Sequence, residues 1–191
     1  MKKVRRDEIL GLGAYEEIRE RYRRRMFGVK ADRRVHVGPL VTVLFENHDT
    51  VLYQVQEMLR TERITAEPDI AHEIDTYNDL LPAGRGVGGT LMIEEPDAAK
   101  RPALLQSLVG LHDHVFLRVG DTRLSARWIR HEADESEQIS SVQYFAFDLG
   151  EHVTDLASAT SVSLEIDHPA YTHSADLAPN VVRALDADLR S

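Results

Sequence analysis

The chain has 191 residues, of which 42% are hydrophobic, so it can bury a substantial core and we expect one domain over residues 1–191. It contains no cysteine, which excludes disulfide bonds, thiolate metal ligands and cysteine nucleophiles. The net charge of −9 argues against a general nucleic-acid binder. The sequence has no long apolar run and turns acidic where a signal peptide needs its apolar centre, so we expect a cytoplasmic protein that does not bind membranes.

The N-terminal segment predicts a helix with a basic face. Apolar residues follow helical spacing between Asp7 and Phe27. Residues 1–34 hold twelve of the 23 basic residues and six of the 32 acidic ones, so this segment carries +6 and the remainder −15. The face away from the apolar stripe is rich in arginine: Arg19, Arg21, Arg23, Arg24 and Arg25. Such a face either docks beside the acidic body or binds an anionic partner.

A strand-to-helix corner follows the first helix. Residues 35–46 are rich in β-branched side chains and predict one or two strands with a bend at Gly38 and Pro39. The chain then predicts a helix from Thr50 to about Arg63, with Asp49 or Thr50 as its N-cap.

This central helix has two different faces. Its apolar stripe consists of Val51, Leu52, Val55, Met58 and Leu59. The opposite face, called here the polar face, consists of Tyr53, Gln56, Glu57 and Arg60, with Gln54 beside them. An aromatic ring, an amide, an acid and a base together indicate an interface or a polar network. The candidate partner- or ligand-binding residues therefore combine the corner and the polar face: Glu46, Asn47, Asp49, Tyr53, Gln54, Gln56, Glu57 and Arg60.

A second central helix begins at Pro68 and ends at Pro82, and the short link between the two helices predicts an antiparallel pair. The next segment, PAGRGVGGT at residues 82–90, contains four glycines. Because no strand precedes it, it forms neither a dinucleotide fingerprint nor a phosphate-binding loop. We interpret it as a flexible loop.

The second half predicts mainly antiparallel sheet. Strands are expected at residues 90–94, 141–149 and 161–166, with a hairpin at 115–129 that turns at Gly120 and Asp121. Two further helices are expected, at Pro102–Val109 and Pro179–Leu189. Helices and strands are segregated, which favours an α+β fold of mostly antiparallel sheet with an N-terminal helix, a central helical pair and a C-terminal helix. The helical part covers about 1–82 and the sheet-rich part about 83–191.

Nine histidines raise the question of a metal site. His112 and His114 are two residues apart at the entrance of a strand, where the period of two places both imidazoles on one face. Other histidines that could join them are His131, His168 and His173. No metalloenzyme spacing such as HExxH is present, so loop histidines are the simpler interpretation and no cofactor is expected.

Acid–base catalysis is the other chemical alternative. The best carboxylate pair is Glu57 with either Glu46 or Asp49, because the corner could bring them close and raise one pKa. Arg60 lies within one turn of Glu57, however, and favours an ion pair instead. A non-enzymatic role is therefore preferred over an enzymatic one.

Three stretches resemble the bacterial family catalogued as domain of unknown function 3501: LFENHDTVLYQVQEMLRTERI at 44–64, EIDTYNDLLP at 73–82 and DHPAY at 167–171. The resemblance covers nearly the whole chain. It implies an accessory protein found beside rubrerythrin-like di-iron proteins and an iron–sulfur oxidoreductase, with a role in peroxide or redox defence. Because the chain lacks cysteines for a cluster and paired ExxH helices for a di-iron site, a redox centre in such a system would belong to a partner.

The sequence leaves three interpretations. The first is a non-catalytic binding protein that contacts a protein partner through the polar face and the Arg-rich first helix; homo-oligomerisation is compatible with it. The second is a metal-dependent enzyme or small-molecule sensor that uses Glu46, His48, Asp49 or the His112 and His114 pair. In the third, the corner motif is purely architectural.

Overall fold

A computed structural model describes residues 1–129, 139–150 and 156–190 of the chain. Its helices are α1 (Leu12–Ala31), α2 (His48–Glu62), α3 (Glu67–Asn78), α4 (Arg101–Ser107) and α5 (Pro179–Leu189). Its strands are β1 (Arg34–Val37), β2 (Val41–Glu46), β3 (Gly86–Ile93), β4 (Val115–Val119), β5 (Thr122–Ser125), β6 (Arg127–Ile129), β7 (Val142–Asp148), β8 (Val162–His168) and β9 (Tyr171–Asp176). The predicted α+β fold is confirmed, including the N-terminal and C-terminal helices. No helix in the described ranges is long and apolar enough to cross a membrane.

The strands form two antiparallel sheets that pack face to face. One sheet has the order β1-β2-β3-β7-β6 and the other the order β5-β4-β8-β9. Because successive strand residues point to opposite faces, Val43, Phe45 and Leu91 enter the core between the sheets. The opposite face of the five-stranded sheet is covered by α2 and α3, whose Val55 and Ile74 belong to a second apolar cluster.

Two seams join the sheets. At one, the chain passes from β5 to β6 through Ala126, whose N–H donates to the backbone of β4 at 2.9 Å. At the other, the Tyr171 hydroxyl donates to the carbonyl oxygen of Val37 at 2.7 Å and accepts from the N–H of Leu40 at 3.0 Å. Gly38 between them has φ +72°, and a Cβ there would lie 2.6 Å from this hydroxyl. The tight β1–β2 turn and Tyr171 therefore require glycine at this position.

The glycine-rich segment is mostly strand β3, so the expectation of a flexible loop is wrong. Gly88 pairs with Glu46 of β2 in the ladder. A Cβ on Gly88 would lie 1.9 Å from the carbonyl oxygen of Leu80, and one on Gly86 would lie 2.8 Å from the Cβ of Pro82. The glycines thus allow the turn after α3 to cross directly over the strand, and they serve close packing instead of flexibility.

The predicted boundaries of the first helix and of the second central helix differ from those in the structure. The first helix begins at Leu12 and not Asp7, because Arg6–Glu8 form a separate 3₁₀ turn and Gly11 is the N-cap of α1. The α3 helix ends at Asn78, before Pro82, because the chain must turn to cross β3. The strand β9 was not predicted; it begins at Tyr171, the last residue of the DHPAY motif.

Candidate functional site

Asn47 closes the strand-to-helix corner as the N-cap of α2. Its Oδ1 accepts from the N–H of Thr50 at 3.0 Å, and the Thr50 Oγ1 accepts from the Asn47 N–H at 2.9 Å. These reciprocal bonds satisfy two backbone amides at the helix start. The prediction of Asp49 or Thr50 as N-cap is wrong, because the helix already begins at His48.

Asn47 also belongs to a buried polar network that joins segments far apart in the sequence. Its Nδ2 donates to Asp188 Oδ1 at 3.1 Å. Arg33 donates to the same carboxylate through Nη2, at 2.8 Å to each oxygen. The side chains of Arg33 and Asp188 are only 10% and 13% exposed. The network therefore fixes the start of β1, the corner and α5 relative to one another.

Glu46 is a buried carboxyl group at the end of β2. Only 7% of the residue is exposed, and the Thr90 hydroxyl donates to it at 2.7 Å. Burial raises its pKa, while hydrogen bonds from Thr50 and Thr90 and the charges of Lys30 and Arg33 act in the opposite direction. A carboxyl group enclosed in this way is hydrogen-bonded within the fold and is not accessible to a substrate.

The α1 helix covers the polar face of α2. The ring of Tyr53 meets that of Tyr22 edge-on, with centroids 5.7 Å apart. Arg60 donates to Glu16 through Nε at 2.6 Å. The predicted ion pair between Glu57 and Arg60 is wrong, because each of these residues pairs with α1 instead. The polar face is thus an internal contact between helices and not an open surface.

Glu57 is the centre of this contact. Arg19 donates through Nε and Nη2 to its two oxygens, at 2.8 Å each, and the hydroxyl of the fully buried Tyr15 donates at 2.6 Å. The hydrogen bonds from Arg19 hold the pKa of Glu57 below its usual value of 4.5. Asp49 forms its own ion pair with Arg25 at 2.7 Å. The carboxylates proposed as a catalytic pair are therefore each neutralised by a separate arginine.

The two glutamines of α2 hold neighbouring segments. Gln56 is 2% exposed, donates to the carbonyl oxygen of Leu10 at 3.0 Å and accepts from its N–H at 2.9 Å. Gln54 forms a side-chain hydrogen bond with Tyr77 of α3. The expected position of Gln56 on the outer side is wrong, because the segment before α1 covers it.

We expect Glu57→Ala to lower the free energy of unfolding by about 2–3 kcal/mol, because the guanidinium of Arg19 and the hydroxyl of Tyr15 lose their acceptor in a largely enclosed position. The lowered pKa means that the ion pair stabilises the fold above pH 4.5 and that this contribution is lost as the pH falls below that value. Urea unfolding at neutral and acidic pH measures both effects.

Glu17→Ala is the matched control for this prediction. Glu17 lies on α1, is exposed and forms no ion pair with the described residues. Its replacement is expected to change stability by less than about 0.5 kcal/mol. A loss for Glu57→Ala no larger than that of the control, or one that grows on acidification, would show that Glu57 does not fasten α1 to α2.

His48 lies between two carboxylates at the corner. Its Nε2 is 3.2 Å from Glu8 and its Nδ1 is 3.4 Å from Asp49. A hydrogen bond from Lys2 makes the largest contribution in lowering the pKa of Glu8 to about 2, while burial opposes it. The Nε2 contact links the N-terminal segment to α2, whereas the Nδ1 contact stays within α2.

The two candidate metal ligands do not share a strand face. Residues Leu111–Asp113 form a 3₁₀ turn, and β4 begins only after His114, so the period of two does not apply. His112 Nε2 lies 3.4 Å from Asp113, whereas His114 Nδ1 lies 2.8 Å from Asp167. The expectation that both imidazoles face one ion is therefore wrong.

The DHPAY motif organises the same region. Asp167 accepts from Arg123 at 2.6 Å, and the ring of His168 meets His114 edge-on at 5.1 Å. His168 is buried and its Nε2 lies 3.1 Å from the carbonyl oxygen of Val109. Within the described ranges no three His, Asp or Glu side chains are arranged to hold a metal ion. His131 lies outside those ranges.

The outer face of α1 combines predicted arginines with an exposed aromatic residue that was not predicted. Phe27 is 60% exposed, and the guanidinium carbon of Arg23 lies 5.4 Å from its ring centroid. Arg21 and Arg24 are exposed and form no ion pair with any described residue. The steps of three from Arg21 to Arg24 to Phe27 place them on neighbouring positions of one helix surface, and this spacing was the available signal.

The chain is similar to a solved structure and matches the model of a protein family. The chain is similar to the crystal structure of a protein of unknown function from Burkholderia pseudomallei, with a TM-score of 0.90 and 35% identity over 98% of this chain and 100% of that one. No curated protein matches it. A model of the family described as protein of unknown function, DUF3501, matches residues 3–189. Since this match spans nearly the whole chain, the protein belongs to the DUF3501 family.

Proposed function

We propose that the protein is a non-catalytic accessory protein that binds an acidic protein partner through the outer face of α1. The observation that carries this proposal is the exposed Phe27 beside Arg21 and Arg24, which have no ion pair in the described chain. This surface, with Arg23, is called the α1 patch. It belongs to the segment of net charge +6 in a protein of net charge −9.

The contrast with the inner side of α1 supports this proposal. Arg19 binds Glu57 and Arg25 binds Asp49, so the arginines that face α2 are neutralised within the fold. Arg21 and Arg24 make no ion pair within the described ranges, so their guanidinium groups can contact carboxylates of another molecule. Arginine and exposed aromatic residues are enriched at protein interfaces, and carboxylates are the natural partners of the guanidinium group.

The geometry of the corner carboxylates also favours a binding role. Glu46 is enclosed by the fold, and Glu57 and Asp49 each have an arginine. A general acid or base must be within hydrogen-bond reach of its substrate. These three groups are instead committed to the architecture that presents α1.

The proposed partner is a component of a cytoplasmic peroxide- or redox-defence system, namely a rubrerythrin-like protein or an iron–sulfur oxidoreductase. The support is the family resemblance of the three sequence motifs. A cysteine-free chain can contribute surface contacts to such a system while the partner supplies the metal cluster.

The test is a charge-reversal variant, Arg21→Glu with Arg24→Glu, measured by biolayer interferometry against each purified candidate partner. The dissociation constant is expected to rise at least about tenfold, because two attractive contacts become repulsive. Binding of the wild-type protein should weaken as salt is added, since exposed charges are screened. Phe27→Ser should weaken binding without the same change in salt dependence.

The matched control is Arg34→Glu with Arg183→Glu, which makes the same change in net charge. Both arginines are exposed and form no ion pair with described residues, but they lie on β1 and α5. The control should retain the wild-type affinity. Equal weakening by both double variants would contradict the α1 patch, and failure of the wild-type protein to bind either candidate would contradict the partner class.

A further inference from the structure

A second and separate feature is a cavity of about 370 Å³ where the N-terminal segment, the turn after α3 and β6 meet. Its walls include Lys3, Asp79, Pro82, Arg127 and Trp128. Small-ligand sites commonly have volumes of roughly 300–1,000 Å³. The cavity is therefore large enough for a small organic molecule, and it lies apart from α1.

The two cationic groups of this cavity have no ion-pair partner among the residues that the structure describes. Lys3 and Arg127 form no ion pair or hydrogen bond through their side chains with any described residue. In contrast, Arg118 and Arg123 of the neighbouring sheet both bind Glu165. Although the chain has 32 acidic residues against 23 basic ones, the cavity is lined by two cations that are unpaired within the described ranges and by one acid, Asp79.

A buried asparagine holds Lys3 in position. Asn78 is 5% exposed; its Oδ1 accepts from the N–H of Val4 at 2.8 Å and its Nδ2 donates to the Val4 carbonyl oxygen at 2.9 Å. Val4 itself is 2% exposed. The residue after Lys3 is thus clamped to the end of α3, so the backbone of Lys3 is fixed beside the cavity.

Arg127 and Trp128 are fixed from the other side. In the sheet, Trp128 pairs with Phe145 of β7, and its ring packs on the Phe145 ring with centroids 5.8 Å apart. The indole N–H donates to the carbonyl oxygen of His112. The indole of Trp128 therefore packs against the core between the sheets, whereas Arg127 and Ile129 point to the opposite face of β6.

We propose that this cavity binds a small organic anion whose carboxylate or phosphate oxygens contact Lys3 and Arg127. The guanidinium group can hold two such oxygens at once, and the ammonium group supplies a point charge. Asp79, the unpaired acid of the same cavity, favours a ligand that also carries an ammonium or hydroxyl donor. The site thus distinguishes donor-bearing anions from simple ones.

Tryptophan fluorescence tests this proposal directly, because Trp128 is the only tryptophan in the sequence. The probes are L-glutamate, succinate, glycerol 3-phosphate and inorganic phosphate, titrated at low salt. At least one of the first three should give a saturable change below about 10 mM. The difference in affinity between glutamate and succinate measures the contribution of the ammonium group. The difference between glycerol 3-phosphate and glutamate distinguishes a phosphate ligand from a carboxylate ligand.

Arg127→Met and Lys3→Met should each raise the dissociation constant of the best probe about tenfold or more. Because both side chains are exposed and unpaired, the thermal unfolding of these variants should match the wild type. Arg34→Met is the control and should keep wild-type affinity. Asp79→Asn should weaken glutamate binding relative to succinate.

Two outcomes would overturn the proposal. One is that none of the four probes changes the fluorescence up to about 10 mM. The other is that a probe binds folded Arg127→Met and Lys3→Met variants as tightly as the wild type. Neither outcome bears on the α1 patch, which is measured with a protein partner and with different variants.

Discussion

Replacing Gly88 with alanine is expected to reduce the free energy of unfolding by more than about 4 kcal/mol, which leaves most of the protein unfolded or aggregated. The new Cβ would lie 1.9 Å from the carbonyl oxygen of Leu80 and 3.0 Å from its carbonyl carbon. Both are backbone atoms, so no side-chain rotation relieves the contact. Soluble yield and urea unfolding followed by circular dichroism measure the loss.

Gly28→Ala is the control for this prediction. Gly28 lies inside α1, and a Cβ there would have no atom within 4 Å. Alanine in a helix interior is more favourable than glycine by roughly 0.5–1 kcal/mol, so this variant should be slightly more stable than the wild type. Wild-type stability of Gly88→Ala would mean that the turn after α3 does not cross β3 as described.

Replacing Asp188 with alanine is the other change for which we expect a large effect, a loss of about 3–5 kcal/mol. Arg33 and the Nδ2 group of Asn47 would then remain enclosed without their acceptor. Because the pair joins α5 to the start of β1, the C-terminal helix should also become more open to hydrogen exchange. Urea unfolding and amide exchange measure the two consequences.

A double-mutant cycle separates the interaction energy of the ion pair from the cost of leaving one charged side chain buried without its partner. Arg33→Met with Asp188→Leu removes both charges, and it should cost less than the sum of the two single changes. The control is Arg190→Ala, which removes a pair with Asp186 whose arginine side chain is 63% exposed. This pair should contribute less than about 1 kcal/mol. Additive single effects would show that Arg33 and Asp188 act independently.

Local patterns predicted the elements that depend on nearby residues. Apolar residues at helical spacing predicted α2, and alternating apolar residues predicted β7. The dipeptide Gly120–Asp121 predicted the hairpin turn. The N-cap was missed because Asn47, Asp49 and Thr50 all have suitable side chains, and the choice between them depends on where β2 ends. Boundary errors of this kind arise from tertiary contacts and not from helix propensity.

Contacts between distant segments could not be read from the sequence. The polar face of α2 has the composition of an interface, and it is one, but the partner is α1 of the same chain. Likewise, a run of glycines is typical of loops, whereas Gly88 serves the approach of Leu80 across the sheet. Composition indicated the kind of surface in the first case, and the packing decided what covers it.

The candidate sites show the same difference between features set by local sequence and features set by contacts between distant segments. The arginine-rich face of the first helix was predicted, and the structure separates Arg19 and Arg25, which face α2, from the outward Arg21 and Arg24. The cavity beside Trp128 had no signal in the sequence. Lys3 and Arg127 line the same cavity only because the N-terminal segment, the turn after α3 and β6 meet there.

The Tyr171 seam has a consequence for how the protein is made in the cell. Its hydroxyl contacts Val37 and Leu40, which precede it by 134 and 131 positions in the sequence. Arg33 likewise pairs with Asp188, which follows it by 155 positions. During synthesis on the ribosome, these contacts of the β1 region cannot form until residues 171 and 188 have been translated. In that interval the first strands lack two of the contacts that hold them in the finished fold, and unpaired strand edges favour aggregation.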